Sequence, residues 1–230
     1  MKTERVALIT EAGNGLSSQW ANILKNAGFK VVIAAKGISY THLDEQNLED
    51  IQLSKVDFTK TEEVVQLYAF IKTRYDKLDV LVNNAEMANG FGQKLSSLKM
   101  QEVKYLFDEN LFSVMELTKT LLPLLKKGQS PKILNISSAL GNVNKMGRDD
   151  FPYSDYKMTA YSMAKASLEM FTTLIYGELK TDGILIASFD PVKMKNCTHN
   201  SVTICREVQK EFLQQLSMDP TEQIQRVQKR

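Results

Sequence analysis

Short runs of β-branched and aliphatic residues alternate with stretches whose apolar positions recur every three or four residues, and the alternation repeats six times. Val6-Ala7-Leu8-Ile9 and Val31-Val32-Ile33-Ala34-Ala35 contain no polar interruption. Runs without in-and-out alternation suit strands buried on both faces. Ile51 to Val56 reads as a third, weaker strand, Leu78 to Val82 as a fourth, Ile133 to Ile136 as a fifth and Ile184 to Phe189 as a sixth. Between them, Ser17 to Lys25 reads as a helix ended by Gly28. Thr61 to Tyr75 carries Val64, Leu67, Tyr68 and Ile71 at helical spacing, with Glu62 and Glu63 in its first turn. A long helix is expected from about Leu98 to Leu125, loosened near Pro123, and another from about Ala160 to Lys180. This order predicts a parallel α/β sheet covered by helices on both faces.

Residues 37–50 and 141–159 read as polar loops. Val202 to Leu216 and Thr221 to Val227 read as helices, and no β-rich run follows Phe189. The sheet is therefore expected to have six strands, or an edge covered by another chain. Nothing resembling a linker or repeat divides residues 1–230, so a single domain is expected.

Composition narrows the function. Of 230 residues, 43% are hydrophobic and 24% charged, which suits a globular core. The 29 Lys and Arg nearly balance the 27 Asp and Glu, so no basic surplus points to nucleic acid. Cys197 and Cys205 are too few for a disulfide scaffold, and His42 and His199 stand apart from any metal-ligand set. No apolar run approaches the roughly 18 residues that span a bilayer, and no secretory signal pattern opens the chain. A cytoplasmic protein that binds neither membrane nor nucleic acid is expected.

In open parallel sheets, ligands bind beyond the carboxyl ends of the strands, where strand order reverses. The distinctive residues gather at those ends. Gly13, Asn14 and Gly15 follow the first strand, Asp57 the third, Asn83 and Asn84 the fourth, Ser137 and Ser138 the fifth, and Pro191 the sixth. Tyr161 and Lys165 stand four apart near the start of a helix, so they share one face. A tyrosine ionises near about pH 10, and a neighbouring cation favours its phenolate. Such pairs also occur on ordinary helices; the surrounding pattern is what gives this one meaning.

That pattern resembles the short-chain dehydrogenase/reductase family over residues 5 to about 196. Tyr161 and Lys165 match its Tyr-x-x-x-Lys pair, and Ser138 matches its serine three residues before a glycine, here Gly141. Asn110 falls at the fourth catalytic position, and Asn83-Asn84-Ala85 matches the motif ending strand four. The resemblance implies a Rossmann-like, doubly wound sheet of six or more strands. It implies that Tyr161 exchanges a proton with the substrate, Lys165 holds the nicotinamide ribose and favours the phenolate, Ser138 bonds the carbonyl, and Asn110 fixes a water chain. Bland alternatives stay open for two of these, with Asn110 a helix-interior polar residue and Ser138 a turn cap. The implied cofactor contacts are Thr10, Gly13, Asn14, Gly15, Leu16, Lys36, Asp57, Asn83, Ala85, Tyr161, Lys165 and Pro191, with Asp57 meeting the adenine.

Lys36 follows strand two with no acid beside it, which favours NADP over NAD unless Lys36 is merely a solvated loop residue. The implied partners are a small carbonyl or alcohol substrate and further copies of the chain, as a homodimer or homotetramer. Leu106, Leu117, Leu121, Leu168 and Phe171 suit either subunit faces or the core.

The chain departs from the pattern where glycines are expected. Against Thr-Gly-x-x-x-Gly-x-Gly stands Thr10-Glu11-Ala12-Gly13-Asn14-Gly15-Leu16-Ser17, while Glu86 and Val192 replace two further glycines. Glycine serves there to let backbone approach a ligand. Cofactor binding is therefore expected to be weakened by Glu11, Ser17, Glu86 and Val192, with Glu11 turned outward. Two functions compete: an NADP-preferring oxidoreductase, and a relative that kept the fold as a binding or scaffold protein in an enzyme assembly. The 141–159 loop, longer than the common family version, either lines the substrate pocket or is a surface excursion.

Overall fold

The structure, a computed structural model, describes residues 4–11, 16–37, 51–84 and 86–191, together with residues 210, 213, 214 and 217. Six strands are present: β1 (Arg5–Glu11), β2 (Phe29–Ala35), β3 (Ile51–Lys55), β4 (Val80–Asn83), β5 (Lys132–Ile136) and β6 (Leu185–Phe189). They form one parallel sheet in the order β3-β2-β1-β4-β5-β6. The order reverses between β1 and β4, and the crevice for a ligand opens there.

Alternate strand residues feed two cores, one on each face. Leu8, Val32, Leu81, Ile133 and Ile186 pack against α2 (Thr61–Tyr75), α4 (Ser113–Leu125) and α5 (Thr159–Thr181) through Leu67, Leu121 and Leu179. Ile9, Val31, Ile33, Val82 and Leu134 pack against α1 (Leu16–Asn26) through Trp20, Ala21 and Leu24. Trp20 meets Phe189 edge to face at 5.7 Å, which ties α1 to the β6 end of the sheet. Leu106, Leu117, Leu121 and Leu168 are core residues rather than subunit-face residues, and Phe171 is partly buried. Among the described residues no helix is long and apolar enough to cross a membrane.

The expected long helix from Leu98 is not continuous. α3 (Met100–Phe107) runs into a π-helical turn over Asp108–Phe112 before α4 begins. Pro123 lies within α4 and does not mark the irregularity. The wider turn buries both Asn110 and Leu111, consecutive residues that α-helical geometry would aim 100° apart. The expected C-terminal helices lie almost entirely outside the described residues, as do Cys197, Cys205, His42 and His199.

A buried polar chain locks the helices over the crevice to the sheet. Asn83 Nδ2 donates to Asn135 Oδ1 at 2.8 Å and to Thr118 Oγ1 of α4 at 3.3 Å. Asn135 Nδ2 donates to Thr172 Oγ1 of α5 at 2.8 Å, and that hydroxyl donates to Leu168 O. Cutting the chain strands buried donors and acceptors and leaves a cavity. Asn135→Ala is expected to lower unfolding free energy by about 2–4 kcal/mol, measured by urea denaturation.

Candidate active site

Three side chains from two adjoining segments meet at the carboxyl end of β5. Ser138 leaves the strand in extended conformation, and its hydroxyl accepts from Leu140 N at 3.3 Å, capping a short 3-10 turn over Ala139–Gly141. That turn lies directly on α5. A Cβ on Gly141 would stand 2.8 Å from Ala166 N and 2.9 Å from Lys165 Cβ, so only glycine permits the approach. On this turn the Ser138 hydroxyl acts on Tyr161, pulling its ionisation down. One helical turn on, Lys165 has no exposed surface; its Nζ donates to Ile136 O at 2.9 Å and sits 5.7 Å from the Tyr161 ring centre.

Glu86 completes the cluster. The Tyr161 hydroxyl donates to Glu86 Oε1 at 2.6 Å, a short charge-assisted contact. Tyr161 is 3% exposed, and its ionisation is pushed far above the ordinary range. Burial is the largest cause, followed by the Glu86 charge and hydrogen bond; Ser138 pulls the other way and Asp190 adds a smaller upward push. Burial and the Glu86 carboxylate thus set the direction of the phenol's shift. Burial likewise pushes Lys165 below its usual value, against the charges of Glu86, Asp190 and Glu169.

The segment carrying Glu86 is held in place. Asn110 Oδ1 accepts from Met87 N at 3.0 Å, and its Nδ2 donates to Met87 O and Leu106 O, both at 2.8 Å. Asn110 is fully buried and clamps the backbone one residue beyond Glu86. Further along, Gly92 N donates to Tyr156 O at 2.8 Å, and Phe91 packs on Tyr156. Tyr156, Tyr153 and Phe151 continue a ladder of aromatic contacts with centres 5.2 and 5.4 Å apart. Phe151 ends it beside Leu140 and Tyr161 in a small core. The 141–159 loop thus packs against the Tyr161 cluster instead of standing away from it. With the start of α5 it also frames an apolar groove of about 300 Å³, lined by Leu140, Val143, Met146, Met158 and Met163.

At the other end of the crevice, the Thr10 hydroxyl accepts from Asn84 N at 2.9 Å. Ser17 is fully buried and accepts from Asn84 Nδ2 at 3.0 Å, while Trp20 Nε1 donates to Asn84 Oδ1 at 3.3 Å. Asn83 points into the polar chain between α4 and α5. Lys36 is not a lone solvated cation: its Nζ lies 3.1 Å from Asp57 Oδ2 and 3.3 Å from Glu109 Oε1. The Asp57 hydrogen bond, foremost, holds Lys36 above its ordinary value. For Asp57, burial raises the carboxyl, but the bonds from Thr59 and Lys36 outweigh it and the net shift is downward. Pro191 forms a half-buried turn after β6. Gly13, Asn14, Gly15, Ala85 and Val192 lie outside the described residues, as do the side chains of Glu11 and Leu16.

The sheet order and this cluster agree with the family comparison. Residues 5–205 match the family model for short chain dehydrogenase. The chain belongs to the short-chain dehydrogenase family. It is thereby a member of a family of oxidoreductases, and its relatives carry that description. An uncharacterised oxidoreductase of Staphylococcus aureus is 27% identical over 192 residues, covering 82% of this chain and 78% of the relative. A short-chain dehydrogenase structure from Streptomyces avermitilis superposes with a TM-score of 0.68 at 26% identity. It covers 83% of this chain, which spans 66% of that one. The NADPH-bound carbonyl reductase from chicken fatty liver shares the fold, with a TM-score of 0.70 at 20% identity over 82% of this chain and 79% of that one.

Of the described residues, Lys165 has chemistry that suits the nicotinamide dinucleotide the family implies; Gly13, Asn14, Gly15 and Ala85 lie outside them. Among the described residues Lys165 Nζ makes one hydrogen bond, leaving two of its three donors for hydroxyl oxygens. Glu86, a carboxylate where the family has glycine, was visible as a departure, but sequence reasoning missed that it reaches Tyr161. Glu86→Gln removes a like charge, so Tyr161 is expected to ionise at lower pH, read by ultraviolet difference titration against Tyr161→Phe. In the native protein the raised ionisation stabilises the fold fully below about pH 10. That stabilisation is lost as pH rises further.

Proposed function

We propose that the chain is an NADP(H)-preferring oxidoreductase that reduces a small carbonyl or oxidises the matching alcohol. The observation that carries this reading is the convergence of the Tyr161 hydroxyl, Ser138 and the buried Lys165 ammonium at one strand end. When bound, the dinucleotide supplies or accepts the hydride. Ser138 and Tyr161 hydrogen-bond the substrate oxygen and polarise it. Tyr161 gives that oxygen a proton in reduction and takes one in oxidation. Lys165 holds the ribose hydroxyls with its two remaining donors and offsets negative charge forming on Tyr161. Asn110 acts by fixing the Met87 backbone and, through it, the wall that bears Glu86. Thr10, Gly13, Asn14, Gly15, Leu16, Asn83, Ala85 and Pro191 border the dinucleotide, with Asp57 at the adenine.

NADP remains the preferred cofactor because Lys36 is half-exposed and the two positions that end β2 and follow it, Ala35 and Lys36, supply no acid to clasp a free ribose diol. Its two carboxylate partners tax that preference, since a phosphate must displace one of them. Lys36→Ala is expected to weaken NADPH binding about tenfold and leave NADH binding nearly unchanged, measured by cofactor fluorescence. Exposed Phe112, Met170 and Leu174 on the two helical elements over the sheet support assembly as a homodimer or homotetramer. The whole chain is taken as one domain working in the cytoplasm.

A second reading, a binding or scaffold protein without turnover, is favoured by the carboxylate that holds the Tyr161 proton. The two readings separate on turnover. Tyr161→Phe is expected to cut carbonyl reduction about a hundredfold or more while nucleotide affinity stays near native. Lys165→Ala is expected to lose both. Steady-state rates and nucleotide titrations check this, and a native rate equal to that of Tyr161→Phe would favour the second reading.

A further inference from the structure

Tyr161 has a single proton, and two acceptors compete for it. In the protein alone it goes to Glu86 Oε1 at 2.6 Å. In carbonyl reduction it must go to the substrate oxygen. Two groups bonded to one hydroxyl lie roughly 4–5 Å apart. A substrate oxygen at Tyr161 therefore places the atoms one or two bonds beyond its carbonyl carbon against the Glu86 carboxylate. The backbone on the far side of Glu86 is held, because Asn110 clamps Met87 and Tyr156 O accepts from Gly92 N.

Charge bookkeeping sharpens the demand. As the carbonyl carbon gains a hydride from the reduced dinucleotide, the C=O π bond breaks and the oxygen takes the Tyr161 proton. The substrate is reduced by two electrons, the dinucleotide is oxidised, and Tyr161 is left a phenolate. That phenolate forms beside the Glu86 carboxylate, with Asp190 also facing Tyr161. Lys165, on which the Glu86 charge also acts, is bound to Ile136 O. A donor or cation brought in by the substrate would do two things: compete with the Tyr161 hydroxyl for Glu86 so that the Tyr161 proton turns to the carbonyl, and join Lys165 in offsetting negative charge in the transition state.

We propose that Glu86 selects the substrate, and that the preferred substrate carries a protonated amine one or two carbons from its reacting carbonyl or alcohol carbon. This rests on the oxidoreductase reading above and names the substrate class for the same site. A carboxylate at that position is repelled, and a neutral alkyl group leaves Glu86 competing for the proton. Much of the discrimination falls in kcat, because the phenolate exists only as the proton is transferred.

The test compares aminoacetone, 2-butanone and acetoacetate as substrates with NADPH, for the native protein, Glu86→Gln and Glu86→Asp. The native protein is expected to favour aminoacetone over 2-butanone by at least about tenfold in kcat/KM, with acetoacetate slowest. Glu86→Gln is expected to erase that order and to raise the rate on 2-butanone, while Glu86→Asp keeps it. Turnover of 2-butanone as good as that of aminoacetone by the native protein would overturn the proposal. So would an order that survives Glu86→Gln. Absence of turnover on all three substrates in all three proteins would instead overturn the oxidoreductase reading, and this proposal with it.

Discussion

An ammonium group with no exposed surface is the constraint around which this end of the molecule is arranged. Taking Lys165 out of water is costly unless its charge is met, and Ile136 O meets part of it at 2.9 Å. That bond fixes α5 against the end of β5, and Gly141 permits the turn after β5 to lie close over it. Ser138 and Tyr161 then have little choice of position. The buried chain from Asn83 through Asn135 to Thr172 performs the same service one layer deeper, holding α5 to the sheet.

Against this familiar arrangement stands one unfamiliar neighbour. Glu86 accepts the Tyr161 hydrogen bond, and Asn110 and the aromatic ladder from Phe91 to Phe151 hold the segment that carries it. Under the proposed substrate selection, a carboxylate in that place is a handicap for a neutral ketone and an asset for a cationic one. The opposite end of the crevice shows a related restraint, with Lys36 shared between Asp57 and Glu109.

Much of the fold was legible in the sequence. Uninterrupted aliphatic runs such as Val31 to Ala35 announce strands covered on both faces, and the structure has six in one parallel sheet. α2 begins and ends where helical spacing places it, at Thr61 and Tyr75. The π-helical turn at Asp108–Phe112 was not legible. It answers a long-range demand, that Asn110 reach the Met87 backbone, and no local propensity encodes such a demand. The same limit explains Lys36, whose partner Glu109 is 73 residues away in sequence. Glu86 stood out as a missing glycine, yet its direction depends on how the segment beyond it is tied to Tyr156. A pattern of glycines reports where backbone is close to a ligand; it says nothing about where a replacement side chain points.

The proposed chemistry requires that this crevice accept a nicotinamide dinucleotide. The direct measurement is titration of the purified native protein with NADPH, following nicotinamide fluorescence, with NADH in parallel. Saturable binding of NADPH, tighter than that of NADH, is the result expected from the Lys165 donors and from Lys36. No binding of either nucleotide at millimolar concentration would contradict it.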